Sequence, residues 1–296
     1  MRPLFGNRYP AIPLNGAIVA ITGAGRGIGR ATAEAFAAQG ATVCLGDLDT
    51  SVVEKAAKEI GDKARAYPLD VTVRASFAAF TDAVTEEFGR IDVLVNNAGV
   101  MPLGDFVEEP DALSRTTLDV NVWGLIHGMR LVLPGMIAAG RGHVVNIASM
   151  AGKIPIPGMA VYNASKFAAV GLTAAVRREY AGAGVSVSAV LPSAVRTGLA
   201  SGVPLGGGLP TVDPEDIARA VVDSCRTRRA EIPVPRYVGG WDLLDALTPE
   251  RVMSFARSLI GDNRALTSLD PEARSDYTRR VADQVTRRTS WGVGGG

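Results

Sequence analysis

Histidine and cysteine are nearly missing from this chain, with two of each in 296 residues. His127, His143, Cys44 and Cys225 are scattered, and no group of His, Cys and carboxylates has zinc-ligand spacing, so no catalytic metal is expected. Two cysteines so far apart read as reduced, buried thiols. An excess of one charge is lacking too. A net charge of +1 gives no electrostatic case for nucleic acid or an anionic membrane as a partner. Long apolar runs are absent: Ala17–Ile21 and Val93–Val95 are strand-length, well short of the ~20 residues that span a bilayer. No integral membrane span is therefore expected. The first residues also show no charged segment leading into a long apolar run, and the expectation is a soluble, cytoplasmic protein.

What the chain does have is rhythm. Its 47% hydrophobic content is ample for a large core. Strand-like runs occur at Ala17–Ile21, Thr42–Leu45, Ala64–Pro68, Ile91–Val95, His143–Ile147, Ser186–Val190 and Glu231–Val234. Helix-length stretches lie between them at Ile28–Gln39, Ser51–Ile60, Arg74–Phe88, Leu113–Ala138, Val161–Ala181 and Pro214–Thr227. Such alternation predicts an α/β fold: one Rossmann-type, doubly wound parallel sheet of about seven strands with helices on both faces. Gly40, Gly61 and Gly89 stand where helix-ending glycines are favoured, and Asp213-Pro214 has the chemistry of a helix start. Residues 1–15 read as an irregular arm. Residues 193–212 form a long glycine- and proline-rich loop of the kind used as a lid or binding loop. The predicted organisation is a nucleotide-binding catalytic domain over 14–238 and a C-terminal helical extension over 239–292. That extension has amphipathic patterns at Trp241–Ile260 and Pro271–Arg287, before a Gly294–Gly296 run expected to be disordered.

The first strand runs directly into Thr22-Gly23-Ala24-Gly25-Arg26-Gly27-Ile28-Gly29, and a helix follows. Glycines permit a tight turn and close backbone approach to a pyrophosphate, and the helix N-terminus offers free N–H groups and a positive dipole end. Asp47 ends the second strand 18 residues past Gly29. A carboxylate there can bind the adenosine ribose hydroxyls and would repel a 2′-phosphate, which favours NAD over NADP. Arg26 argues mildly for NADP.

Tyr162 and Lys166 are four apart and so share one helix face. A free tyrosine, with a pKa of about 10, is a poor base near neutral pH. A nearby ammonium favours the phenolate. The pair can therefore make a general acid/base.

These motifs, in this order, resemble the short-chain dehydrogenase/reductase family over about residues 14–238. The resemblance rests on the Thr-Gly-x-x-x-Gly-x-Gly turn, Asp70-Val71 after the third strand and Asn96-Asn97-Ala98-Gly99 after the fourth. It continues with Asn121 in the next long helix, Ser149 after the fifth strand, and the Tyr162/Lys166 pair. It implies that Ser149 hydrogen-bonds the substrate oxygen, Tyr162 exchanges a proton with it, and Lys166 binds the nicotinamide ribose and lowers the tyrosine pKa. Asn121 would kink its helix and hold a water linking Lys166 to solvent. The implied cofactor contacts are Gly23, Gly25, Arg26, Gly27, Ile28, Gly29, Asp47, Asp70, Val71, Asn97, Ala98, Gly99, Tyr162, Lys166, Val195 and Thr197, with Thr197 at the carboxamide. The implied chemistry is hydride transfer between the nicotinamide and a carbinol carbon. One departure is Pro192-Ser193, where the family often has Pro-Gly.

Substrate choice is expected from Met150–Met159 and 194–210, which supply Met150, Ile154, Ile156, Met159, Val195, Leu199, Val203 and Leu205. That apolar set suits a hydrophobic secondary alcohol or ketone. Lys153 and Arg196 are the strong cations there and are expected to face solvent. The small residues of the Tyr162 helix and the family resemblance suggest a homodimer or homotetramer. The tail is expected to act as a lid or subunit contact. The sequence-based reading is an NAD(H)-linked secondary alcohol dehydrogenase. An NADPH-dependent carbonyl reductase and a non-catalytic NAD-binding sensor or scaffold remain as alternatives.

Overall fold

The computed structural model describes residue 9 and residues 11–202, 210–240 and 269–291. The apolar runs form a seven-stranded, all-parallel sheet. Its strands are β1 (Ile18–Thr22), β2 (Thr42–Asp47), β3 (Ala64–Pro68), β4 (Val93–Asn96), β5 (Gly142–Ile147), β6 (Val185–Pro192) and β9 (Glu231–Val234). They lie in the order β3-β2-β1-β4-β5-β6-β9, so the winding reverses between β1 and β4. In open α/β sheets a ligand crevice lies at such a reversal, beyond the carboxyl ends of the strands.

The connecting helices are α1 (Gly27–Ala38), α2 (Thr50–Ile60), α3 (Arg74–Phe88), α4 (Asp111–Leu118), α5 (Gly124–Ala138), α6 (Ala160–Glu179) and α7 (Pro214–Thr227). Strand residues alternate between two cores, as the period of two requires. Ala20, Leu94, Val144 and Val187 pack on one face with Phe77, Phe80, Met129 and Ala169. Val19, Ile21, Val43, Val93 and Val145 pack on the other with Phe36, Val53, Ile217 and Val221. The expected boundaries hold to within a few residues. β4 begins at Val93; just before it the Asp92 main chain still pairs with Ile18 and His143, and its buried carboxylate takes the Ile18 N–H at 3.0 Å and pairs with Arg90 and Arg141.

α4 and α5 join through a five-residue π turn (Asp119–Trp123) into one helix, Asp111–Ala138. By length and composition that helix could cross a bilayer, but half of its most apolar window is buried within the fold. α7 opens with a capping box, in which Asp213 and Asp216 satisfy each other's main-chain N–H, and with Pro214 in its first turn. Of the arm, Tyr9 is buried under the Arg177 guanidinium and the Ile12 N–H donates to the Cys225 carbonyl.

The long loop after β6 is closed at its base. β7 (Ala194–Val195) pairs with β8 (Thr211–Val212), and the Ser193 hydroxyl donates to the Pro210 carbonyl at 2.7 Å. The serine at the Pro192-Ser193 departure thus acts as a tie across the loop. In the C-terminal region α8 (Pro271–Trp291) is formed. The expected helix at 241–260, Val203, Leu205 and the final glycine run lie outside the described residues.

Candidate active site

The glycine turn sits at the winding reversal, between β1 and α1. Gly23 has φ +63°, and a Cβ there would lie 2.8 Å from Ala98 Cα. A Cβ on Gly29 would lie 2.2 Å from the Gly23 carbonyl oxygen. No larger residue fits either place. The loop after β4 holds the turn from the other side. The Asn97 side-chain amide donates to the carbonyls of Thr22 and Gly23, and the Asn97 and Ala98 N–H groups donate to the Thr22 hydroxyl. Asp47 holds the third side, accepting the Gly25 N–H at 2.9 Å and the Asp49 N–H at 3.1 Å. The methyl of Thr197 lies 3.5 Å from where a Gly27 Cβ would stand, so the loop after β6 reaches the same turn.

This cradle fits a dinucleotide. Arg26 is the N-cap of α1 but gives no side-chain cap, and the first turn carries no acidic side chain, so the helix terminus is open to an anion. The Arg26 guanidinium pairs instead with Asp49 at 2.7 Å on the surface. Asp49, which the sequence reading passed over, also caps α2, and its position two residues past Asp47 is the signal that could have found it. Asp70 turns its carboxylate to the main chain and hydroxyl of Thr72. The following Val71 packs in the core and gives its carbonyl to His127.

The four expected catalytic residues converge nearby. α6 buries both Tyr162 and Lys166. The Lys166 ammonium donates to the Ile147 carbonyl at the end of β5 at 3.0 Å and stands 5.6 Å from the Tyr162 ring centre. Ser149 follows β5; its hydroxyl accepts the Ala151 N–H at 3.1 Å and lies close enough to Tyr162 to favour its ionised form. Asn121 lies in the π turn, its side chain paired both ways with the main chain of Val100 and donating to the Ser165 hydroxyl. A Cβ on Gly99 would stand 3.3 Å from Asn121 Oδ1 and 3.7 Å from Lys166 Nζ, so these residues meet at one point.

Burial governs the charges here. Desolvation pushes the Tyr162 phenol up to about 12, against the opposing hydrogen bond from Ser149. It also draws Lys166 down to about 8. The phenol's own desolvation is the largest effect, and the effect opposing it comes from Ser149 rather than from the expected Lys166.

Around Tyr162 lies an apolar cluster of Met101, Ala151, Leu103, Ile156, Met159, Leu199 and Ala200. Ile156, Met159 and Leu199 were expected there. Met150 and Ile154 instead pack in the main core, and Val195 joins the opposite core. Met101, Leu103 and Ala151 were missed; their apolar spacing right after the Asn-Asn-Ala-Gly and Ser149 motifs was the available signal. The two cations expected to face solvent are both paired, Arg196 with Asp213 on the surface and Lys153, largely covered, with Glu231.

Crevice, cradle and buried Tyr–Lys pair together define a Rossmann-type oxidoreductase. Comparison with known proteins makes this particular. The family described as short chain dehydrogenase matches residues 17–204. Rat 17-beta-hydroxysteroid dehydrogenase 13 is 34% identical over 244 residues, which is 80% of this chain and 81% of the relative. Among solved structures, a short-chain dehydrogenase/reductase from Burkholderia phymatum in complex with NAD matches with a TM-score of 0.72 at 30% identity, over 79% of this chain and 94% of that one. A metagenomic short-chain oxidoreductase in complex with NADP matches with a TM-score of 0.66 at 33% identity, over 75% and 98%. The chain belongs to the short-chain dehydrogenase/reductase family of oxidoreductases.

Proposed function

We propose that this protein interconverts a hydrophobic secondary alcohol and its ketone with NAD(H). The observation that carries the reading is Tyr162, buried beside Ser149 and Lys166 among apolar side chains at the mouth of the glycine-turn crevice. A bound nicotinamide would supply the hydride chemistry, and its oxidised, cationic form would favour the phenolate. Tyr162 then exchanges a proton with the substrate oxygen, and Ser149 holds that oxygen by a hydrogen bond. Lys166 sets the charge beneath them. With burial holding Tyr162 as the phenol, ketone reduction has its acid ready across neutral pH, while alcohol oxidation speeds up as pH rises.

Two carboxylates, Asp47 and Asp49, stand at the end of β2 against one arginine, a balance that opposes a 2′-phosphate. A second reading, NADPH-dependent carbonyl reduction, draws on Arg26 at the turn and on the relative that holds NADP. The Arg26–Asp49 pair weakens it by committing that guanidinium. The steroid name of the rat relative and the apolar cluster around Tyr162 favour a bulky apolar alcohol. The test is a panel of steroid, aliphatic and polyol secondary alcohols assayed with NAD and with NADP. NAD-linked turnover of the apolar members is expected. Turnover confined to small polyols would overturn the substrate class, and turnover with NADP alone would overturn the cofactor.

A further inference from the structure

Helix α8 reaches into the active-site wall through two side chains. The Tyr277 hydroxyl accepts the N–H of Met101 at 2.6 Å. Arg274, only 4% exposed, lies 4.5 Å over the Tyr277 ring. Its guanidinium donates to the carbonyls of Leu199 at 3.1 Å and Ser201 at 2.9 Å and to the carbonyl of Met101. Among the described residues no carboxylate pairs with it. A buried arginine without a counter-charge is costly unless its donors are met, so the two loops and the guanidinium hold one another in place. At the start of the helix, the Asp270 N–H donates to the Gly202 carbonyl at 2.8 Å. A Cβ on Gly202 would lie 2.4 Å from the Asp270 carbonyl oxygen, which keeps the loop tight against the helix.

The loops so joined, after β4 and after β6, are not joined to each other by the parallel sheet at this level. They supply Met101 and Leu199, both packed in the apolar cluster with Tyr162. Tyr277 also lies near enough to Tyr162 for its charge to oppose ionisation of that phenol.

We infer that Arg274 and Tyr277 are specificity-determining positioning residues, a clasp that fixes the Met101 and Leu199–Ser201 loops as facing walls for the bulky apolar part of the substrate. This rests on the alcohol–ketone reading of the Tyr162 site. A small alcohol needs only Ser149 and Tyr162, whereas a steroid-sized one also needs the walls. Loosening the clasp therefore penalises large substrates selectively, which a general structural weakening does not do.

The test uses the full chain as wild type, Tyr277→Phe and Arg274→Lys. It measures NADH binding by nicotinamide fluorescence, kcat and KM for estradiol and cyclohexanol, and hydrogen exchange at Met101 and residues 199–202. Expected are unchanged NADH binding, faster exchange at those loops, and a rise of about tenfold or more in KM for estradiol, with cyclohexanol kinetics within about twofold of wild type. If Tyr277→Phe also loses NADH binding it acts on the whole fold, and Arg274→Lys, which keeps the charge but cannot span three carbonyls, decides. Equal losses on both alcohols, or loosened loops with unchanged selectivity, would overturn the proposal. Should the wild type turn over neither alcohol, the dehydrogenase reading fails by itself. Estradiol binding by calorimetry then decides the clasp: weaker binding in the variants supports it, and equal binding or none to the wild type overturns it.

Discussion

Asp47 accepts main-chain hydrogens from Gly25 and Asp49, so a residue singled out for cofactor choice also shapes the turn. If Asp47 holds the adenosine ribose as proposed, Asp47→Ala weakens NADH binding by about tenfold and narrows the proposed preference over NADPH, since the ribose acceptor and a charge opposed to a 2′-phosphate go together. Fluorescence titration with both nucleotides checks this, and an unchanged ratio would assign the preference elsewhere. At this scale the motif residues were legible because their chemistry depends on short spacings: a step of four from Tyr162 to Lys166, and a run of eight for the glycine turn. Arg274 and Tyr277 were not. The Met101–Tyr277 bond joins residues 176 positions apart, and no local pattern distinguishes a buried arginine from a solvated one on an amphipathic helix. For Tyr162 the spacing names Lys166 as its neighbour, whereas the burial that raises the phenol's pKa leaves no mark on that spacing.

The elements of the sheet are tied together by buried polar groups as well as by apolar packing. The His143 ring on β5 meets the Ser186 hydroxyl on β6 at 2.8 Å and the Ser224 hydroxyl on α7 at 2.9 Å. Desolvation, with the nearby Arg228 charge, pushes its pKa down to about 3. The folded state therefore keeps His143 neutral while the unfolded chain takes up a proton below about pH 6.5. This contribution to stability is complete above that pH and is lost as pH falls toward 3, by at most about 1.4 kcal/mol per pH unit. Urea unfolding at pH 7, 6 and 5 is expected to follow that slope, and His143→Gln, which cannot titrate, to flatten it. An unchanged slope in the variant would mean that other groups carry the acid sensitivity. Element boundaries were legible where a glycine or a capping pair marks them, as at Gly89 and Asp213-Pro214. At β4 the apolar run Ile91–Val95 set the start two residues early, and it gave no sign that the carboxylate within it serves the main chain of β1.

The whole molecule places its chemistry where the sheet's winding reverses, and the strand–helix alternation made that architecture legible before any coordinate. The alternation could not show how the C-terminal region meets the active site, since α8 docks through irregular loops that carry no period. The expected Pro271–Arg287 pattern found the helix but not its contacts. The proton exchange proposed between Tyr162 and an alcohol or ketone oxygen is the step on which the function turns. Its most direct test is NAD-linked turnover of an apolar secondary alcohol by the wild type and by Tyr162→Phe, with NADH binding measured alongside. Loss of kcat by the ~10²–10⁴-fold of acid–base catalysis, with NADH binding retained, is the predicted result. Turnover that survives in Tyr162→Phe with its pH dependence unchanged would mean that Tyr162 is not the group that exchanges the proton.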